Sequence, residues 1–339
     1  MDSLSQIVLG AAVAAAIAPA GHRRAALLAG AALGTLPDLD VFVVNTLTDN
    51  PVQRMTWHRG LSHSLLVLPL LGAMIWALFR RRPRSRVSQA PARWFWAIQL
   101  ALFTHPLLDA FTVYGTQLLW PLRPPPAMWS SVFIIDPLYT VWLLAACVAA
   151  WLLRERRGAQ RALVLGLALS SGYLGWSLLA KSMVEREAGR SLAAIGLADA
   201  PRFSVPMPFN TLLWRVVAMT PDGFVEGERS LVADRGPISF RRHRSDVAEL
   251  RKVARWADVR ELGWFNRGFM KAEVREGRLV LTDLRMGSEP DYTFRFIVAE
   301  RSGDGWVPVP VRQPQWPWQA RRRLSAMWTR IWAQPEVEG

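Results

Sequence analysis

The chain has 339 residues, long enough for two domains, and is 51% hydrophobic with 17 Trp and a formal net charge of +14. Only seven of its 27 acidic residues lie in 1–183, so the first half reads as membrane and the second as a soluble domain. Most first-half arginines sit in short loops between apolar runs, so the basic excess reads as a membrane-orientation signal plus a solvated surface, not as nucleic-acid binding. The single cysteine, Cys147, excludes a disulfide within the chain.

In chain order, an apolar run at 7–18 follows Met1-Asp2-Ser3-Leu4-Ser5-Gln6. The residues before it are acidic and His22, Arg23 and Arg24 come after it, the reverse of a signal peptide. The run is expected to be a retained helix with its N-terminus outside. The second run, 25–36, is rich in small residues that permit close helix packing (Gly30, Ala31, Ala32, Gly34). It is too short to span a core of about 30 Å unless it continues past Pro37 towards Leu47. A short or broken helix beside Asp38 and Asp40 fits backbone that lines a cavity. A polar loop at 48–60 leads into a spanning run at 61–79, followed by the arginines of 80–86. Further spans are expected at 94–114, 131–153 and 162–183, with a Pro- and Trp-rich interfacial loop at 115–130.

Six crossings put the loops at 20–24, 80–93 and 154–161 on one side with twelve arginines, against three (Arg54, Arg59, Arg123) on the other. The arginine-rich side is expected to be cytoplasmic. Asp38 and Asp40 then end the second helix on the outer side, His58 and His63 begin the third there, and His105 and Asp109 lie in the outer half of the fourth.

Beyond Lys181 the pattern changes. Strands are expected at 211–219, 278–284 and 292–299, with an amphipathic helix at 245–262 capped by Ser245. The predicted fold is mainly α: a polytopic membrane bundle of about six helices over 1–183, a smaller extramembrane α+β domain over 184–305 on the outer side, and a Pro-, Trp- and Arg-rich tail over 306–339. In that tail, 321–332 reads either as an interfacial basic helix or as a poorly ordered segment.

Three clusters carry chemistry: Leu36-Pro37-Asp38-Leu39-Asp40, His58-Arg59-Gly60-Leu61-Ser62-His63-Ser64 and Thr104-His105-Pro106-Leu107-Leu108-Asp109. His105 and Asp109, four residues apart, share one helix face. Ionisable groups in an apolar run are expensive and by default functional. Singly, each motif also fits a helix-ending turn or a hydrogen-bonded packing pair; their convergence on one face points to a site for one or two metal ions. Mixed His/Asp ligation suits Zn²⁺, with Mn²⁺ or Fe²⁺ as alternatives, better than Ca²⁺ or Mg²⁺. Such a metal lowers the pKa of bound water towards ~7, which points to hydrolysis. The expected ligands are Asp38, Asp40, His58, His63, His105 and Asp109; Asp38 and Asp40 divide between ligand, second-layer orientation and base, and Arg59 holds an anionic group or anchors at headgroup level.

The three clusters, the N-terminal hexapeptide and the stretch 104–121 (THPLLDAFTVYGTQLLWP) resemble the YdjM-like membrane-bound metal-dependent hydrolases of bacteria over about 1–145. The stretch 210–217 (NTLLWRVV) resembles the extension of longer members. The resemblance implies an inner-membrane location and a hydrolase. The leading expectation is metal-dependent hydrolysis of an ester or phosphoester on the outer face, with the bilayer and a lipid or small-molecule ester substrate as partners. Where many members carry a His near the N-terminus this chain has Gln6, whose amide is a poor ligand, which puts a second metal there in doubt. The alternative is a non-enzymatic membrane protein that binds metal for structure, sensing or transport.

Overall fold

The structure is a computed structural model that describes residues 1–314 and 320–334. It divides into two units, the first comprising 1–44, 57–129 and 134–176 and the second 45–56, 130–133 and 177–339.

The first unit is helical. Helices α1 (Ser3–Ile17) and α2 (Arg23–Thr35) lead to a 3-10 turn at Leu36–Leu39 and α3 (Asp40–Leu47). After α4 (Pro51–Trp57), a 3-10 turn at Leu61–His63 precedes α5 (Leu68–Arg80). The short α6 (Arg86–Gln89) is followed by α7 (Pro91–Ala110), α8 (Pro137–Leu153) and α9 (Arg157–Ala194), the last running on into the second unit. Helix α1 packs on α2, α7 and α8 and is buried along most of its length, including Val8, Leu9, Ala11, Ala12, Ala14 and Ala15. Its small residues allow this: a Cβ on Gly10 would collide with the Gly30 carbonyl, and one on Gly34 with the Gln6 carbonyl. The α1 and α2 backbones therefore touch. Helix α8 starts where Asp136 accepts hydrogen bonds from the Leu138 and Tyr139 amides (3.1 and 3.4 Å), with Pro137 in the first turn.

Among the described residues six clear spans are not seen: two helical stretches, Ala20–Leu47 and Arg157–Ala194, are long and apolar enough to cross a membrane, and a third if the bent pair Pro51–His63 and Leu68–Arg80 counts as one. The reasons are local. The run expected to span at 61–79 is broken before α5, and α1 and α8 have 15 and 17 residues, shorter than a full crossing at 1.5 Å per residue. Helix α7 has 20 residues but includes the polar Gln99, His105 and Asp109 on its otherwise apolar buried face. Large apolar side chains on the other helices remain exposed, among them Leu70, Met74, Leu144, Val148, Leu152 and Leu165, as lipid contact requires.

The second unit contains two four-stranded antiparallel sheets. One has β1 (Arg202–Pro206), β2 (Leu213–Thr220), β3 (Gly223–Ser230) and β4 (Phe240–Arg244) in sequence order. Helices α10 (Val247–Val253) and α11 (Ala257–Phe265) come next. The other sheet takes β5 (Met270–Arg275), β6 (Arg278–Asp283), β9 (Arg295–Ser302) and β10 (Gly305–Arg312) in the order β10-β9-β6-β5, with a small β7 (Gly287–Ser288) and β8 (Asp291–Tyr292) ribbon between. Helix α12 (Ala320–Trp332) ends the described chain.

Strand β2 is buried on both faces over most of its length, which is why it reads as a largely apolar run interrupted by Arg215. Trp214 and Val216 pack with Ala180, Val184 and Ala188 of α9. On the other face, Arg215 donates to Glu226 (2.6 and 2.8 Å), to the Tyr292 hydroxyl (3.1 Å) and to the Leu284 carbonyl (2.8 Å), tying the first sheet to the segment that follows β6. Burial works against the charged guanidinium, yet Glu226 and Tyr292 together hold its pKa above the ordinary arginine value.

Two expectations change here. The helix expected at 245–262 is two helices with a break at 254–256, and Ser245 does not cap it: its hydroxyl meets the Ala272 backbone instead. Residues 306–312, expected at the start of the tail, belong to β10, paired with β9. The expected basic helix at 321–332 falls within α12, where Trp328 and Trp332 are exposed and Ile331 is buried; the 315–319 part of the tail lies outside the described residues.

Candidate metal centre

The site is built where helices stop. Asp38 sits in the 3-10 turn that interrupts α2, and Asp40 opens α3. His58 and Arg59 follow the end of α4, and Arg59 takes a left-handed backbone (φ 63°), uncommon outside glycine, which turns the chain into the 61–63 turn bearing His63. His105 and Asp109 lie one turn apart on the buried face of α7. Pro106 lies inside that helix, which ends at Ala110.

Four of the six expected ligands meet: Asp38, His63, His105 and Asp109. His63 Nε2 and His105 Nε2 are 3.1 Å apart, and each is 3.4 Å from Asp38 Oδ1. Asp109 Oδ2 is 3.2 Å from His63 Nε2 and 3.5 Å from His105 Nε2. A tetrahedral ion with bonds of about 2.0–2.1 Å has ligand–ligand edges of about 3.3–3.4 Å. The five distances bracket that value.

Hydrogen bonding fixes what these atoms offer. His105 Nδ1 lies 2.6 Å from the Gly34 carbonyl, which only accepts, so Nδ1 carries the proton. The Ser62 hydroxyl donates to Asp40 Oδ2 at 2.5 Å and therefore accepts from His63 Nδ1 at 2.9 Å. In both neutral rings Nε2 is then a bare lone pair aimed at the other three donors. Asp109 Oδ2 is buried and accepts no hydrogen bond, while Oδ1 takes Gln6 Nε2 at 2.9 Å and pairs with the Met1 amino group. Lone pairs that converge in a buried space with no proton between them repel, and a cation at their centre removes that repulsion. The donor set fits a metal ion.

The other two expected ligands lie beside this group. Asp40 Oδ1 is 2.7 Å from His58 Nδ1, and Asp40 Oδ2 also accepts from the Arg59 amide at 3.1 Å. Asp40 is thus a hub that orients His58 directly and His63 through Ser62. The His58 ring packs edge-on against His63 and Tyr114. Arg59 is buried, with Nε 3.3 Å from Asp109 Oδ2, Nη1 donating to Thr112 at 3.3 Å, and the guanidinium 4.8 Å above the Tyr114 ring. These contacts favour its positioning Asp109 over its clamping a substrate anion.

Sequence reasoning missed three participants. Ser62 lies inside the HRGLSHS stretch, but its link between Asp40 and His63 shows only in the hydrogen bonds of the folded chain. The Gly34 carbonyl is a backbone group near the end of α2, where carbonyls lack helical partners, and no side-chain signal marks it. Thr112, beyond α7, carried no signal.

The model of the YdjM inner membrane protein family matches residues 1–184, and the chain belongs to that family. No curated protein and no solved structure matches it.

Ser62→Ala removes the link between Asp40 and His63 while leaving every donor atom of the group in place. We expect metal affinity about 10–100-fold weaker, the usual effect of losing such a support. Competition with a chromophoric chelator checks this; wild-type affinity in the variant would remove Ser62 from the site.

Proposed function

We propose that this member of the YdjM inner membrane protein family is a metal-dependent hydrolase of an ester or phosphoester, in a lipid or another envelope component. The observation that carries the reading is the set of five donor–donor distances of 3.1–3.5 Å among Asp38, His63, His105 and Asp109, near the edge length of a tetrahedral site, with both histidines directing Nε2 towards the centre. Two imidazoles with two carboxylates suit Zn²⁺ best, with Mn²⁺ and Fe²⁺ as alternatives. A bound ion supplies Lewis-acid polarisation of water and of the ester or phosphoryl oxygen. The chain's own residues hold and shape that centre. Gly34 and Ser62 set the two ring orientations, Gln6 and Arg59 fix Asp109, and Asp38, 22% exposed, is the ligand that solvent reaches.

A second reading has its own support. Four protein donors complete a tetrahedron, the arrangement of structural zinc, and His63, His105 and Asp109 have no exposed surface. Activity separates the two. His105→Ala and Asp109→Asn are expected to lose bound metal and hydrolysis of p-nitrophenyl esters and phosphodiesters while still inserting in the membrane. A wild-type protein with one tightly held ion and no turnover on any such probe supports the structural role; variants that bind metal like wild type sink both readings.

The arginine asymmetry supports six crossings with the metal centre and residues 184–339 on the periplasmic side. Helices α1, α7 and α8 then cross despite their length or polarity, by tilting less or by thinning the bilayer. Reporter fusions after residue 85 and after residue 198 should report opposite sides. Two cytoplasmic signals would overturn the outward-facing site.

A further inference from the structure

We propose that His58 is not a metal ligand but the proton carrier of the reaction, with Asp40 its positioning residue; this rests on the hydrolase reading above. The group that would otherwise serve as base is a spare carboxylate, and none is free: Asp38 Oδ1 is one of the four donors. Asp40 already accepts from His58 Nδ1, the Arg59 amide and Ser62. Asp109 is fully buried, with Gln6 on one oxygen and its other oxygen committed to the four-donor group. His63 and His105 direct Nε2 into that group and have no exposed surface. His58 differs on each count. It stands outside the four donors, its side chain is 20% exposed, and its ring lies against that of His63 at a centroid distance of 5.7 Å. Its Nδ1 proton is held by Asp40 at 2.7 Å, which leaves the Nε2 lone pair as the acceptor.

The resulting arrangement is a base oriented by a carboxylate, beside a centre that polarises water. In phosphodiester hydrolysis a water O–H bond breaks and its proton passes to His58 Nε2, giving an imidazolium paired with Asp40. The water oxygen bonds to phosphorus and the bond from phosphorus to the leaving alkoxide breaks. The leaving alkoxide, on the opposite side of phosphorus, takes a proton from solvent water and departs as an alcohol, and the His58 imidazolium gives its proton to the hydroxide so formed. One water is consumed, one phosphomonoester and one alcohol are released, and His58 returns to its neutral form.

The test uses the full-length protein in detergent, loaded with Zn²⁺ or Co²⁺. His58→Gln is expected to keep the wild-type metal content and the visible Co²⁺ spectrum, and to lose about 10²–10⁴-fold in turnover of bis(p-nitrophenyl) phosphate. In the loaded wild type, diethyl pyrocarbonate should carbethoxylate His58 and spare His63 and His105, a readout that needs neither turnover nor a folded variant. Protection of His58 by metal, or loss of metal in His58→Gln, would make it a ligand. Undiminished turnover in that variant would remove it as the base while leaving the hydrolase reading intact. A loaded wild type that cleaves neither the phosphodiester nor p-nitrophenyl acetate overturns the hydrolase reading, and the catalytic role of His58 with it.

Discussion

Four lone pairs aimed at one buried point are the constraint on which the first unit depends. Asp38, His63, His105 and Asp109 come from three separate stretches, and their donor atoms stand 3.1–3.5 Å apart in the five pairs described above. Such a group is costly in an apolar surrounding unless something positive sits at its centre. The helical unit is shaped to hold it. The α1–α2 contact at glycine brings the Gly34 carbonyl to His105, and the interruption after α2 frees Asp38 and Asp40 from a continuous helix. The left-handed turn at Arg59 puts its amide on Asp40 and its guanidinium beside Asp109. Backbone strain of this kind is tolerated where surrounding contacts over-determine it, and here those contacts belong to the site.

Much of the site was legible because helical geometry and motif order are written in the sequence. His105 and Asp109 are brought together by a spacing of four on α7, and the short second run ending at Pro37 predicted a broken helix beside two carboxylates. The division of labour within each pair was not legible. Asp38 and Asp40 are two residues apart, and only the turn between them decides that one faces His63 and His105 while the other takes His58, Ser62 and the Arg59 amide. The same holds for His58 and His63, identical side chains that only their surroundings tell apart: Asp40 holds the one, while Ser62 holds the other towards the four-donor group.

The spans and the second unit show the limits of composition more sharply. Helix α7 carries Gln99, His105 and Asp109 among its buried residues, and these polar groups lower its apolar signal: two belong to the candidate site, while Gln99 donates to the Pro69 carbonyl. In the second unit, β2 was readable because both its faces are buried, one against α9 and one at Arg215. The 245–262 stretch keeps helical spacing across a break at 254–256, and periodicity alone does not register a change of helix axis. Strand β10 alternates proline and valine on a sheet edge, where a missing amide is tolerated, and so reads as tail.

X-ray absorption of the zinc-loaded, full-length protein tests the central claim most directly, because it reads the donor shell without reference to turnover. A His/Asp tetrahedron gives about four nitrogen or oxygen neighbours at about 2.0–2.1 Å with the outer-shell scattering of two imidazoles. A shell of six oxygens without imidazole, or no ion retained after dialysis, would contradict it.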